Sequence, residues 1–334
     1  MGISFIGDKM QIINTHTGKL FCDPVKKLEF VSVGDYGQAE NVKADFLGLT
    51  KEVNGVVHHD VDMSQKWITL ISTQHGCPMR CSFCDCPKAG FFGNVSVDDL
   101  TYEVETVLNT FHDVKATKRF NLHFARMGEP TWNASVLFFT EYVLRNLVLS
   151  YVKADVIHPV LATMLPCKNE WLQYFLLSWC RIKNEVYDGN AGLQVSIQST
   201  DDQQREEQFG GLSLTIEGAA RLLDMMPMPK RRKYTLNFAV TAQTILDANK
   251  LDSLFDREKF LVKLTPVHET KAAVANGFDI GNTYDSYDVY KRLEDPLLEL
   301  GWDVISAIPS KEEDADRITC GNALIAATSD DNPS

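Results

Sequence analysis

The chain has 334 residues, enough to bury a sizeable core. Its 44% hydrophobic and 23% charged residues exclude a mainly disordered chain, and a net charge of −12 argues against a surface built for phosphate backbones. No apolar run approaches the roughly 18 residues that span a bilayer, and no charged-then-apolar leader opens the sequence, so a cytoplasmic protein without a membrane segment is expected. The first 66 residues are irregular and read as a small β-rich extension. From residue 67 onward, strand-like and helix-like stretches alternate. Strands are expected at 67–73, 119–125, 156–163, 192–199, 233–241, 260–266 and 302–308. The first helix should start at Ser96, an N-cap with Asp99 in the capping-box place. Leu100, Val104, Val107, Leu108 and Phe111 follow it at helical spacing. Further helices are expected near 134–150, 168–182, 214–226, 247–255 and 286–300. Repeated βα units imply a parallel sheet with helices outside, here a partial (β/α)6 barrel with its active site at the C-terminal strand ends. Three segments result: an extension at 1–66, a barrel at 67–310 and a tail at 311–334.

In the cytosol the eight cysteines are expected as thiols that are buried, metal-bound or catalytic. Four of them fall within ten residues, at Cys77, Cys81, Cys84 and Cys86. A short loop of this kind brings several soft ligands to one point, and Gly76 and Pro78 suit its bends. Structural zinc would need a second Cys-x-x-Cys pair or spaced histidines, and none follows. A simple ferredoxin cluster would need a fourth ligand, and Cys86 lies too close to Cys84 to supply it easily. The remaining reading is C-x3-C-x2-C from Cys77, Cys81 and Cys84, with the aromatic Phe83 before the last cysteine.

That motif resembles the radical S-adenosylmethionine (SAM) superfamily. The resemblance implies a 4Fe–4S cluster on the three cysteines, with one iron open to SAM. It also implies an electron donor such as flavodoxin or ferredoxin, and reductive cleavage of SAM to a 5′-deoxyadenosyl radical. Arg126-Met127-Gly128-Glu129-Pro130, one βα unit later, resembles the superfamily's Gly-Gly-Glu-Pro motif. In that motif a glycine allows close backbone approach and a carboxylate accepts the SAM ammonium. With Trp132-Asn133 behind it, this form is similar to the RlmN/Cfr family, which methylates an adenine carbon in RNA. Ile71-Ser72-Thr73-Gln74-His75-Gly76-Cys77 matches that family's lead-in to the cluster. Ser196-Ile197-Gln198 and Pro266-Val267-His268 fall on segments that surround SAM there, which makes Ser196, Gln198 and His268 cofactor-site candidates. Thr319-Cys320-Gly321-Asn322-Ala323-Leu324 resembles the family's C-terminal segment, whose cysteine carries the methyl group.

The chain also departs from the pattern. Leu70 stands where the family has its second catalytic cysteine, leaving Cys86 as the nearest thiol that could resolve a protein–substrate adduct. The extension shows no match to the family's helical RNA-binding domain. The basic run Lys230-Arg231-Arg232-Lys233 precedes a strand and reads as a solvated turn at the bottom of the barrel. RNA as partner therefore rests on the resemblance alone, and a monomer is expected. Two rival readings stay open. One is a radical SAM enzyme of another reaction type, using Cys320 as hydrogen donor or substrate carrier. The other is a metal-binding RNA-interaction module without turnover.

Overall fold

The computed structural model describes residues 2–6, 10–33, 51–53, 56–58, 62–284, 286–309 and 311–324. Its main sheet has eleven strands. The first four form an antiparallel meander: β1 (Gly2–Ile6), β2 (Met10–Asn14), β3 (Gly18–Asp23) and β4 (Leu28–Val33). Strands β5 (Lys51–Val53) and β6 (Val56–His58) make a separate hairpin. Strand β7 (Trp67–Ile71) pairs antiparallel with β4, Val31 opposite Leu70, so the N-terminal strands extend the barrel sheet. A short ribbon of β8 (Gln74–Gly76) and β9 (Phe91–Asn94) frames the cysteine loop.

Beyond β7 every neighbour in the main sheet is parallel. The series runs through β10 (Ala116–Phe124), β11 (Lys153–Thr163), β12 (Gly192–Ser196), β13 (Tyr234–Val240), β14 (Phe260–Pro266) and β15 (Val304–Ser306). All seven expected strands are present, and the parallel part therefore counts seven strands against about six expected units.

Parallel strands covered on both faces normally read as continuous apolar runs. Strand β7 follows that rule, whereas β12, β13 and β14 alternate. In β13 Tyr234, Leu236, Phe238 and Val240 are buried, while Thr235, Asn237 and Ala239 between them are only half-buried. In β14 the same holds for Phe260, Val262 and Leu264 against Leu261, Lys263 and Thr265. The apolar set packs under the helices and the other set faces an open lumen, which leaves room for a ligand.

On the helix side the core is aromatic. Trp67 meets Phe120 edge-on at 5.3 Å, and Phe124 meets Trp179 at 5.9 Å, arrangements that suit the ring quadrupoles. The helix Val97–Thr110 starts where expected. Ser96 accepts from the Asp99 amide, and the Asp99 carboxylate accepts from the Ser96 amide, so aspartate completes the capping box. The helix Asp202–Phe209 was not expected, because its sequence Asp-Gln-Gln-Arg-Glu-Glu-Gln-Phe carries no apolar stripe. Its cues are an Asp201 N-cap and a left-handed Gly210 at its end. Among the described residues no helix is long and apolar enough to cross a membrane.

Candidate active site

The C-terminal ends of the parallel strands surround a cavity of about 270 Å³. It is lined by all ten residues singled out in the sequence: Cys77, Cys81, Cys84, Cys86, Gly128, Glu129, Ser196, Gln198, His268 and Cys320. Residues spread over most of the chain thus meet at one place.

The cysteine loop is fixed at both ends. At its entrance Gly76 has φ +83°, and a Cβ there would lie 1.9 Å from the Gly90 carbonyl oxygen, so only glycine fits. The Cys77 amide donates to that same carbonyl at 2.8 Å. At the far end the Asp85 amide donates to the Gly321 carbonyl, and the Asp85 carboxylate accepts from the Ala272 amide, both at 2.8 Å. Burial, then the neighbouring Cys84, pushes the Cys77 thiol up to about 12. Burial, followed by Cys84 and Cys77, also raises Cys81 well above the ordinary thiol value. Burial and Cys84 oppose ionisation of Cys77 and Cys81, while Cys86 favours that of Cys84, so two thiols of this donor set call for a nearby cation to become thiolates. Among the described residues no three Cys, His, Asp or Glu side chains converge on a point that a single metal ion could occupy.

Facing the loop is the turn after β10. Gly128 has φ +99°, and a Cβ on it would come within 2.7 Å of the Gln74 side chain. Glu129 is buried and fully engaged: Oε1 accepts from the Thr131 hydroxyl at 2.7 Å and Oε2 from the Met164 amide at 3.0 Å. Burial nevertheless raises its carboxyl above the usual range. An ammonium group entering the cavity would restore the charge balance that burial disturbs.

Around the rim, Ser196 ends β12, and Gln198 lies just beyond with φ +64°. The Gln198 side chain accepts from the Ala239 amide at 2.6 Å, locking two strand ends together. His268 follows β14, and its Nδ1 lies 2.8 Å from Asp314 Oδ1. That aspartate also accepts from the Thr319 hydroxyl at 2.5 Å, the Glu269 amide at 3.0 Å and the Tyr284 hydroxyl. His268 therefore faces the cavity and also braces the tail.

The tail carries Cys320, whose side chain is accessible from the cavity while its thiol donates to the Ala125 carbonyl at 3.2 Å. Burial and then Cys84 push this thiol up to about 11, with Arg126 and Lys263 pulling against them. Cys86 is buried against Met127 and Ala323, and its thiol donates to the Arg126 carbonyl at 3.2 Å. Its hydrogen bond to Cys84 pulls Cys84 down and raises Cys86. Leu70 lines the cavity wall, so the position is well placed although it holds no thiol.

Arg126, Glu29 and Asp314 carried no role in the sequence reading. Arg126 Nε donates to Glu29 Oε1 at 3.0 Å, and its other nitrogens donate to the carbonyls of Thr319 and Arg317 at 2.8 and 3.0 Å. Glu29 in turn accepts from the Leu324 amide at 2.8 Å. The available signal was an arginine directly before the Gly-Glu-Pro element and a glutamate inside an apolar strand.

The chain is similar in sequence and fold to known proteins. The chain is 26% identical over 202 residues to the dual-specificity RNA methyltransferase RlmN of Aliarcobacter butzleri (strain RM4018), covering 58% of this chain and 51% of that protein. It is 27% identical over 203 residues to the RlmN of Nautilia profundicola, covering 60% and 51%. Over some 200 residues the chain is therefore similar in sequence to RlmN-type radical SAM methyltransferases. It spans about half the length of these curated relatives. No family model matches it. In fold it resembles a radical SAM methyltransferase from Sphaerobacter thermophilus, with a TM-score of 0.61 at 17% identity over 97% of this chain and 80% of that one.

Proposed function

We propose that this protein is a radical SAM methyltransferase that uses Cys320 as methyl carrier and an sp² carbon as acceptor, with adenine in RNA as the acceptor class. The observation that carries the reading is the meeting of Cys320, from the end of the chain, with Cys77, Cys81, Cys84 and Glu129 around one cavity. Cys77, Cys81 and Cys84 would hold a 4Fe–4S cluster, which supplies the electron for reductive cleavage of SAM after reduction by a flavodoxin- or ferredoxin-type donor. Glu129 would accept hydrogen bonds from the SAM ammonium, and Gly128 lets the turn that carries Glu129 pack against Gln74 and Thr73. Ser196, Gln198 and His268 would border the rest of SAM. The Cys320 thiol would take the methyl group of a first SAM by displacement: the new sulfur–carbon bond forms as the sulfonium–methyl bond breaks, S-adenosylhomocysteine leaves, and the thiol proton passes to water. Arg126 and Lys263 favour the thiolate at that moment. The acceptor carbon has no lone pair to attack a sulfonium methyl, which is why a radical route is needed. RNA as partner rests on the activity of the similar RlmN proteins, and it belongs to the same proposal as a cytoplasmic location.

A second reading is favoured by the Cys320 thiol donating to Ala125, because a group that keeps its proton can deliver a hydrogen atom. One experiment separates the two. Reconstituted protein is incubated anaerobically with methyl-labelled SAM and cellular RNA, and the peptide around Cys320 is weighed. Methyl transfer predicts the mass of one added CH₂ at Cys320 and label in RNA nucleosides, both absent from Cys320→Ala. Hydrogen donation predicts SAM cleavage with an unmodified Cys320.

A further inference from the structure

A second cavity, of about 470 Å³, lies at the opposite end of the barrel, among the N-terminal ends of the parallel strands. It touches the active-site cavity through the shared wall residues His123, Gln194 and Lys263. Six cationic side chains line it: Lys66, Arg119, Arg231, Arg232, Lys233 and Lys263. Asp303 is the one carboxylate in that lining, and Lys233 already pairs with it at 2.8 Å. Arg231 pairs with Asp188 outside the cavity. In a chain of net charge −12, this is a marked concentration of positive charge.

Arg119 and Arg232 decide the matter. Among the described residues neither guanidinium has a hydrogen-bond or ion-pair partner. Arg119 is half-buried in the wall and Arg232 is exposed at its rim, so two like charges face each other there without a protein counter-ion. A planar guanidinium pair of this kind matches the oxygens of phosphate, and several cations suit a chain of them.

We propose that the lower cavity binds a small polyphosphate-bearing anion. The volume exceeds what a single phosphate fills, and the two guanidiniums without a protein partner suit the oxygens of a di- or triphosphate. The electrostatics of the surrounding groups agree. Burial and then Arg119 lower Arg232 to about 10, and burial followed by Arg232 holds His158 down to about 3. His158 is thus a neutral wall group, with Nδ1 hydrogen-bonded to the Asn190 carbonyl. The run at 230–233, expected as a solvated turn, instead divides its side chains: Lys230 pairs with Asp188 on the surface, while Arg232 lines the cavity.

The test is calorimetric titration of the full chain with tripolyphosphate, ATP and orthophosphate at fixed ionic strength. Tripolyphosphate should bind saturably, and Arg119→Gln and Arg232→Gln should each weaken it roughly ten-fold or more, whereas Lys230→Gln should not. Without ligand, Arg232→Gln should melt no lower than the unmodified protein, since only repulsion is removed; a purely structural arginine would lower the melting temperature. Tighter binding of ATP than of tripolyphosphate would support the site and assign it to a nucleotide; equal binding would assign it to the phosphate chain. Absence of saturable binding by both probes would overturn the proposal, as would binding indifferent to both arginine substitutions.

Discussion

Arg126 and Glu29 form an ion pair with both side chains fully buried, one from the turn that carries Gly128 and Glu129, the other from a strand of the N-terminal extension. The remaining donors and acceptors of this pair hold the tail at Arg317, Thr319 and Leu324. The position of Cys320 therefore depends on residues nearly three hundred positions away in sequence.

Breaking this pair should be costly, because one partner leaves the other charged and buried. Glu29→Gln is expected to destabilise by about 3–5 kcal/mol, read as a lower urea midpoint. Tryptic cleavage after Arg317 should accelerate as the tail loosens. Replacing both residues by methionine should recover part of the lost stability without restoring the tail's protection.

The cysteine loop makes separable predictions. In anaerobically reconstituted protein, Cys77→Ala, Cys81→Ala and Cys84→Ala should each abolish the brown charge-transfer absorbance. Cys86→Ala should keep its iron, since Cys86 is occupied with the Arg126 carbonyl and the packing around Ala323. Loss of iron in Cys86→Ala, with retention in Cys84→Ala, would invert the ligand assignment.

Glu129→Ala should retain the cluster and lose SAM affinity. One charge-assisted contact is worth about 1.5–3 kcal/mol, or roughly ten- to a hundred-fold. Equilibrium dialysis against labelled SAM measures this, and an unchanged affinity would place Glu129 outside the SAM site.

Asp314 makes stability depend on acid. Burial alone would raise its carboxyl, but His268, Thr319 and Tyr284 outweigh burial and hold it well below the ordinary value. Its contribution is therefore complete above the unfolded carboxylate value of about 4 and is lost as pH falls toward the folded one. At neutral pH Asp314→Asn should show a clearly lower urea midpoint than the unmodified protein, and the gap should narrow steadily below about pH 4. A gap independent of pH would show that Asp314 acts through shape and not through charge.

The strand order from 67 onward and the cysteine, Gly-Glu-Pro and tail motifs could be read without coordinates, because each is local. Alternating strands show their period within seven residues, and the ligand spacing from Cys77 to Cys84 sits on one short loop. The helix Asp202–Phe209 escaped notice because caps and not an apolar stripe define it. The bracing of the tail was equally hidden. Glu29, Arg126 and Asp314 look like ordinary charges in a linear chain, and their worth arises only when burial removes water and leaves each with protein partners alone. Even the basic run at 230–233 read as a turn until the barrel placed Arg119 beside Arg232. Local chemistry by itself determined which groups this protein brings to its cavity; long-range burial decided which charges hold them there, because a buried charge must find its partner wherever the chain returns.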